Sequence, residues 1–267
     1  MNKWLEEIRE RALNDNPYFI AYYGASTTSQ EFSFPNWGEI IRYVLKDKLL
    51  GPDKSEWRRI YWNIHTINIG CDGASSKDLL ERLDSLVLGH RPDTVIINDA
   101  NDNDRHYISP DIVLLAAGKN DKPLGMDSSE SHYNIRTMVS RLTDKKIKVV
   151  LTTTPASIRA DINEGVSRYI EVDRLVAQEL EHEKLFKFVD LNRLIPSEKL
   201  TEIYTAISLE GNDDIGFSAG EVDPVHYNAY GNAIVAGHLL KQVFDIDFDP
   251  DKFWADARND KVQFPTY

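Results

Sequence analysis

Short apolar runs of strand length alternate along this chain with segments whose apolar residues recur at helical spacing, and that alternation narrows the fold more than any other feature. Residues 18–23, Tyr-Phe-Ile-Ala-Tyr-Tyr, form an apolar run ending at Gly24. Residues 37–50 carry Ile40, Ile41, Val44, Leu45 and Leu49, the spacing of one helix face, and stop at Gly51-Pro52. Strand-like 60–69 follows, then a Gly-Cys-Asp-Gly turn and helix-like 76–88. Two similar pieces, 92–97 and 110–115, each enter a strand through Pro-Asp. Residues 147–153 read as a strand, 167–183 as a helix, 186–189 as a strand and 229–244 as a last helix. That helix holds the small residues Ala233, Ala236 and Gly237, which suit close packing on a sheet. A parallel crossover needs an intervening element, so the pattern predicts an α/β chain with a mostly parallel sheet covered by helices on both faces, a three-layer α/β/α sandwich.

Trp4, Ile8 and Leu13 share a helical face, which predicts a short lead-in helix over about 2–14. With 267 residues, 42% of them hydrophobic, the chain is long enough for one full core, and no solenoid repeat or Pro/Gly/Ser linker divides it. One domain over 1–267 is the expectation, with a polar insertion around 93–109. A formal charge of -12 and the lack of a Lys/Arg cluster argue against nucleic acid as a partner. The single cysteine, Cys71, excludes an intrachain disulfide and a Cys-based zinc site. No run approaches the ~18 apolar residues of a membrane span, and the charged N-terminus lacks the apolar core of a signal peptide. The chain as written is expected to be cytoplasmic, or secreted if a signal segment has been removed from it. Its composition does not set an oligomeric state.

In open α/β sheets ligands gather beyond the carboxyl ends of the strands, and four polar turns fall at such places. Gly24-Ala25-Ser26-Thr27-Thr28 follows a strand, where a serine hydroxyl is held exposed and its own N–H points into the crevice. Gly70-Cys71-Asp72-Gly73 follows the next strand, and a glycine there lets a backbone N–H approach a ligand. Gly118-Lys119-Asn120-Asp121 follows a third, and a side-chain amide there can donate to an oxyanion. Asp223-Pro-Val-His226 precedes the last helix, with a carboxylate placed to orient the imidazole. Taken singly, each has an ordinary explanation as a plain turn, a helix start capped by Ser75 or Ser76, or a solvent-facing histidine.

The ordered set resembles the SGNH family of GDSL-type serine hydrolases, over residues of about 18–240. The four blocks are Gly24-Ala-Ser26, the Gly73 turn, Gly118-Lys-Asn120-Asp121 and Asp223-Pro-Val-His226; Asn68-Ile-Gly and His226-Tyr-Asn-Ala-Tyr-Gly231-Asn are family-like as well. The resemblance implies a flavodoxin-like SGNH hydrolase fold and an acyl-enzyme mechanism. Ser26 is then the nucleophile, His226 its base and Asp223 the orienting carboxylate. The Ser26 and Gly73 N–H groups and the Asn120 amide form the oxyanion hole, and no metal or organic cofactor is needed. Two departures stand out. Ala25 replaces the family's usual aspartate, and residues 92–102 imitate the third block with Asn101-Asp102. Asn120 is preferred because Gly118 precedes it by two residues.

Candidate substrate contacts are Thr27, Asp121 and Arg159. The polar loops holding Asp99, Asn101, Asp102, Arg159, Asp161, Asn212, Asp213 and Asp214 point to short acyl groups, acetyl foremost, on a small or oligosaccharide ester. A lysophospholipase, thioesterase or acyltransferase of the same fold is the nearest alternative. From other classes come a catalytically inactive binding module and a phosphate or nucleotide binder using residues 24–28, which lacks the usual Gly-Lys-Ser/Thr fingerprint.

Overall fold

A computed structural model describes residues 2–51, 54–88 and 109–259. Helix α1 (Lys3–Leu13) leads into strand β1 (Tyr18–Gly24), followed by α2 (Trp37–Leu50), α3 (Trp57–Asn63), β2 (Ile64–Gly70) and α4 (Ser76–Leu83). After residue 109 come β3 (Ile112–Ala116), α5 (Ser128–Asp144), β4 (Lys148–Thr152), α6 (Ala160–Glu179) and β5 (Phe186–Val189). The short helices α7 (Leu191–Leu194) and α8 (Leu200–Ile203), the two-residue strands β6 (Gly211–Asn212) and β7 (Phe217–Ser218), α9 (Ala229–Phe244) and α10 (Pro250–Ala257) complete the chain.

Strands β1 to β5 form one parallel sheet in the order β2-β1-β3-β4-β5. Every residue of β1 is buried, which is what a parallel strand covered on both faces demands. Alternation sends Tyr18, Ile20 and Tyr22 to one face, against apolar residues of α1, α2 and α9. Ala21 and Tyr23 go to the other, with Leu79 of α4, Ile135, Met138 and Leu142 of α5, and Val172 and Val176 of α6. The register then lines up the strand ends: Gly24 pairs with Gly70 on one side and with Ala116 on the other. The turns after β1, β2 and β3 therefore emerge side by side.

Several expected boundaries move. Residues 60–63 belong to helix α3, and the strand starts at Ile64. The β-prone Tyr61 and Trp62 suggest a strand, but only Ile60 of this segment is buried, as one helical turn against α1 requires. The Asn63 amide also donates to the Ala12 carbonyl at the end of α1. The helix expected over 76–88 turns into a π-helical stretch at Asp84–Leu88. Helix α6 starts at Ala160 instead of 167 and ends at Glu179 instead of 183. Helix α5 adds to the expected elements: Asp127 caps it, and Ile135, Met138, Val139 and Leu142 mark its buried face. The strand expected at 92–97 and all but the last residue of the insertion expected around 93–109, with Asp99, Asn101 and Asp102, lie outside the described residues. Among the described residues no helix is long and apolar enough to cross a membrane.

Candidate active site

The turn after β1 is shaped by close packing. A Cβ on Gly24 would lie 2.3 Å from Thr28 Oγ1 and 2.6 Å from the Ala116 carbonyl oxygen, so only glycine fits. Thr28 and Ser29 N–H groups both donate to the Ala25 carbonyl, closing one turn around Ser26. Three side chains fasten that turn from outside. Asn68 Nδ2 donates to Thr28 O at 2.7 Å, the Trp37 indole N–H to Thr27 O at 2.9 Å, and Asn36 Nδ2 to Ser29 O at 3.0 Å. The position before the serine is the small, buried Ala25, and the loop is held without any carboxylate there.

Asp223, His226 and Ser26 form a continuous hydrogen-bonded row. His226 Nδ1 lies 2.7 Å from Asp223 Oδ2, and His226 Nε2 lies 2.9 Å from Ser26 Oγ. Asp223 Oδ1 accepts from the Val225 and His226 N–H groups at 2.7 and 3.1 Å, which curls the loop so that the ring turns back to its own carboxylate. Burial pushes the Asp223 carboxyl up, but the hydrogen bonds and charge of His226 and those two N–H donors outweigh it and leave the group below the usual carboxylate range. An ionised Asp223 keeps the proton on Nδ1, so Nε2 presents its lone pair to the serine hydroxyl.

The loop's carbonyls are taken by distant side chains. Ser157 Oγ donates to Pro224 O at 2.8 Å, Lys119 Nζ to Val225 O at 2.6 Å and Ser33 Oγ to Tyr227 O at 2.9 Å. Burial pushes the Lys119 ammonium down to about 7, against the opposing pull of Asp223. The Phe32 ring stacks on the His226 imidazole with centroids 3.6 Å apart and planes within 1°. Lys119 lies in the Gly118–Asp121 block, but its contact with the loop, like those of Phe32, Ser33 and Ser157, has no local signal, since each meets the loop only through the fold.

Gly73 adopts a φ of +68°, and neither its N–H nor that of Ser26 has an acceptor among the described residues. Asn120 Nδ2 donates one hydrogen to Ala74 O at 3.1 Å, tying the third turn to the second. A cavity of about 250 Å³ opens beside Asn120. Its walls are Lys119, Lys122 and Pro123 after β3, Asp161, Ile162, Gly165 and Val166 of α6, Asp214 and Ile215 of the β6–β7 hairpin, and Val225.

The three expected substrate contacts fare differently. Asp121 is fully buried, and its Oδ1 accepts from the Ser76 N–H at 2.7 Å, so it supports the start of α4 and does not reach a ligand. The turn pattern could not separate these uses, because both need an acidic residue after Asn120. Thr27 is half-buried beside Tyr227 and lines a narrow cleft under the serine turn. Arg159 stands at the rim, donating to Gly216 O at 2.7 Å and paired with Asp161, so it clamps the hairpin to α6. Cys71 is half-buried in the second turn, its N–H bonded to Gly24 O.

A parallel α/β sheet with a serine, histidine and aspartate row at its carboxyl edge defines a class of acyl hydrolases. A sequence model of the GDSL-like Lipase/Acylhydrolase family matches residues 20–234, most of the chain, and the protein belongs to that family. Similar solved structures include the acetyl xylan esterase AlAXEase, at 19% identity and a TM-score of 0.56, covering 84% of this chain and 99% of that one. A lipase/acylhydrolase from Enterococcus faecalis is 20% identical with a TM-score of 0.53, covering 85% and 95%. A catalytic mutant of Axe2, an acetylxylan esterase from Geobacillus stearothermophilus, is 18% identical with a TM-score of 0.54, covering 84% and 93%. Searched against curated proteins, the sequence has no match. At these identities the likeness establishes the fold, and the family match establishes the esterase class.

Proposed function

We propose that the protein hydrolyses esters through an acyl-enzyme on Ser26 and that its substrates are short acyl esters, acetyl foremost, of a carbohydrate. The observation that carries the mechanism is the unbroken row Asp223 Oδ2, His226 Nδ1, His226 Nε2 and Ser26 Oγ, with contacts of 2.7 and 2.9 Å. His226 Nε2 takes the hydroxyl proton as Ser26 Oγ bonds to the ester carbonyl carbon, and the carbonyl π pair moves onto oxygen. The Ser26 and Gly73 N–H groups and the remaining Asn120 amide hydrogen are the donors for that oxyanion. Collapse breaks the bond to the alcohol, which leaves with the proton from Nε2. Water then repeats the cycle on the acyl-enzyme.

The substrate reading is supported by the cavity beside Asn120. It is smaller than the ~300–1,000 Å³ of most ligand sites, and its walls mix two carboxylates and two lysine side chains with short aliphatic surfaces. Hydroxyl-rich rings suit such walls, and two of the similar structures are named as acetyl xylan esterases. Ile162, Val166, Ile215 and Val225 on the same walls favour a second reading, a lipid acyl hydrolase. Ser26→Ala is expected to abolish turnover of an activated acetyl ester and labelling by a fluorophosphonate. Unchanged turnover would remove Ser26 from the mechanism. Acetyl sugars should be cleaved in preference to octanoyl esters, and the reverse order would transfer the assignment to the lipid reading.

A further inference from the structure

Phe32 sits in the segment between β1 and α2, which is tied to the histidine loop and to α9. Ser33 Oγ donates to Tyr227 O, the residue after His226. Asn232 of α9, almost wholly buried, donates to Ser33 Oγ at 2.6 Å and to Pro35 O at 3.2 Å. Glu31 N–H donates to Ser29 Oγ, and Asn36 Nδ2 to Ser29 O. These bonds bracket Phe32 on both sides and set its ring flat on the imidazole, 3.6 Å away and 1° from parallel. Phe32 is nevertheless 44% exposed, so part of a large apolar residue stays in solvent while its ring covers one catalytic side chain.

Resting on the serine hydrolase reading above, we propose that Phe32 is a positioning residue for His226, holding the ring in its plane and stabilising the charge it gains in the transition state. Asp223 and Ser26 hold the two nitrogens, which fixes the ring in its own plane. Neither contact stops it from tipping out of that plane, and the Phe32 face does. When the serine proton moves to Nε2, the ring under Phe32 becomes a cation facing the negative face of an aromatic quadrupole. The contact is therefore stronger in the transition state than in the resting enzyme, and such a gain appears in kcat more than in KM. An aliphatic side chain fills the space but offers no such face.

The test compares the parent protein with Phe32→Leu, Phe32→Met and Phe32→Tyr, following p-nitrophenyl acetate hydrolysis, the rate of fluorophosphonate labelling and thermal stability. Both aliphatic variants are expected to lose about tenfold in kcat, with KM within about twofold and labelling slowed in parallel. Phe32→Tyr keeps the aromatic face and should remain within about twofold of the parent. Parental kcat in the aliphatic variants would overturn the proposal, as would a tyrosine variant as slow as they are. A change confined to KM would also overturn it, by making Phe32 a wall of the substrate site. Failure of the parent protein to label at Ser26 is a separate outcome: it refutes the nucleophile itself, and the role of Phe32 falls with it.

Discussion

Asn120 illustrates how one side chain serves both architecture and chemistry. One amide hydrogen goes to Ala74 O, which locks the turn after β3 to the turn holding Gly73; the second remains for a ligand. Asn120→Ala should lower kcat by roughly 10²–10³ with little change in fold, measured by steady-state kinetics alongside thermal unfolding. A loss of folding cooperativity with normal kcat per folded molecule would reduce Asn120 to an architectural role. At this scale Ser26, Asn120, Asp223 and His226 could be picked out because each falls in a short block at a strand end or helix start. Phe32, Ser33 and Ser157 could not. They reach the histidine loop from far along the chain, and a phenylalanine or serine has no local pattern that announces such a contact. Asp121 was legible as a residue of the block, but its burial against Ser76 depends on how α4 packs.

Helix α6 carries the least comfortable residue of the site's surroundings. Asp173 is 3% exposed, and its Oδ1 has no hydrogen-bond partner among the described residues. Burial, then the charges of Asp121 and Asp190, hold its carboxyl well above the usual range, while Arg174 opposes them. The folded state thus binds a proton that the unfolded chain releases. Stability from this group is complete below the unfolded carboxylate value and is lost as pH rises through the folded one. Asp173→Asn is therefore expected to raise Tm at pH 8 and to have little effect at pH 4. Equal effects at both pH values would show that the group is not protonated in the fold. The sequence pattern located α2 and α9, where strong apolar periodicity and caps agree. It misplaced α3, where aromatic residues with β propensity lie in a helix, and the start of α6, where Gly165 and a polar first turn weaken the period.

Over the whole molecule, the sheet register sets the turns holding Ser26, Gly73 and Asn120 side by side, and hydrogen bonds from Ser33, Lys119 and Ser157 hold the histidine loop over them, although Ser26 and His226 are 200 residues apart in sequence. Helix α1 lies before the residues matched by the family model, yet it buries Trp4, Leu5, Ile8 and Ala12 in the core shared by α2 and α9. The pairs Arg11–Asp111 and Lys148–Glu7 fix it to the amino edge of the sheet, opposite the site. Ile8→Ala should cost about 2–5 kcal/mol by denaturant unfolding while leaving kcat of the folded protein unchanged. A stability change under 1 kcal/mol would mean α1 is a loose appendage. The alternation of strands and helices, the four polar blocks and their order were determined by the sequence alone, because hydrophobic period and turn chemistry are local properties. Which strand ends lie side by side, which acidic residue is buried, and which aromatic ring covers the histidine were decided only in three dimensions. Those contacts arise from parallel pairing and from packing between segments that no local rule connects.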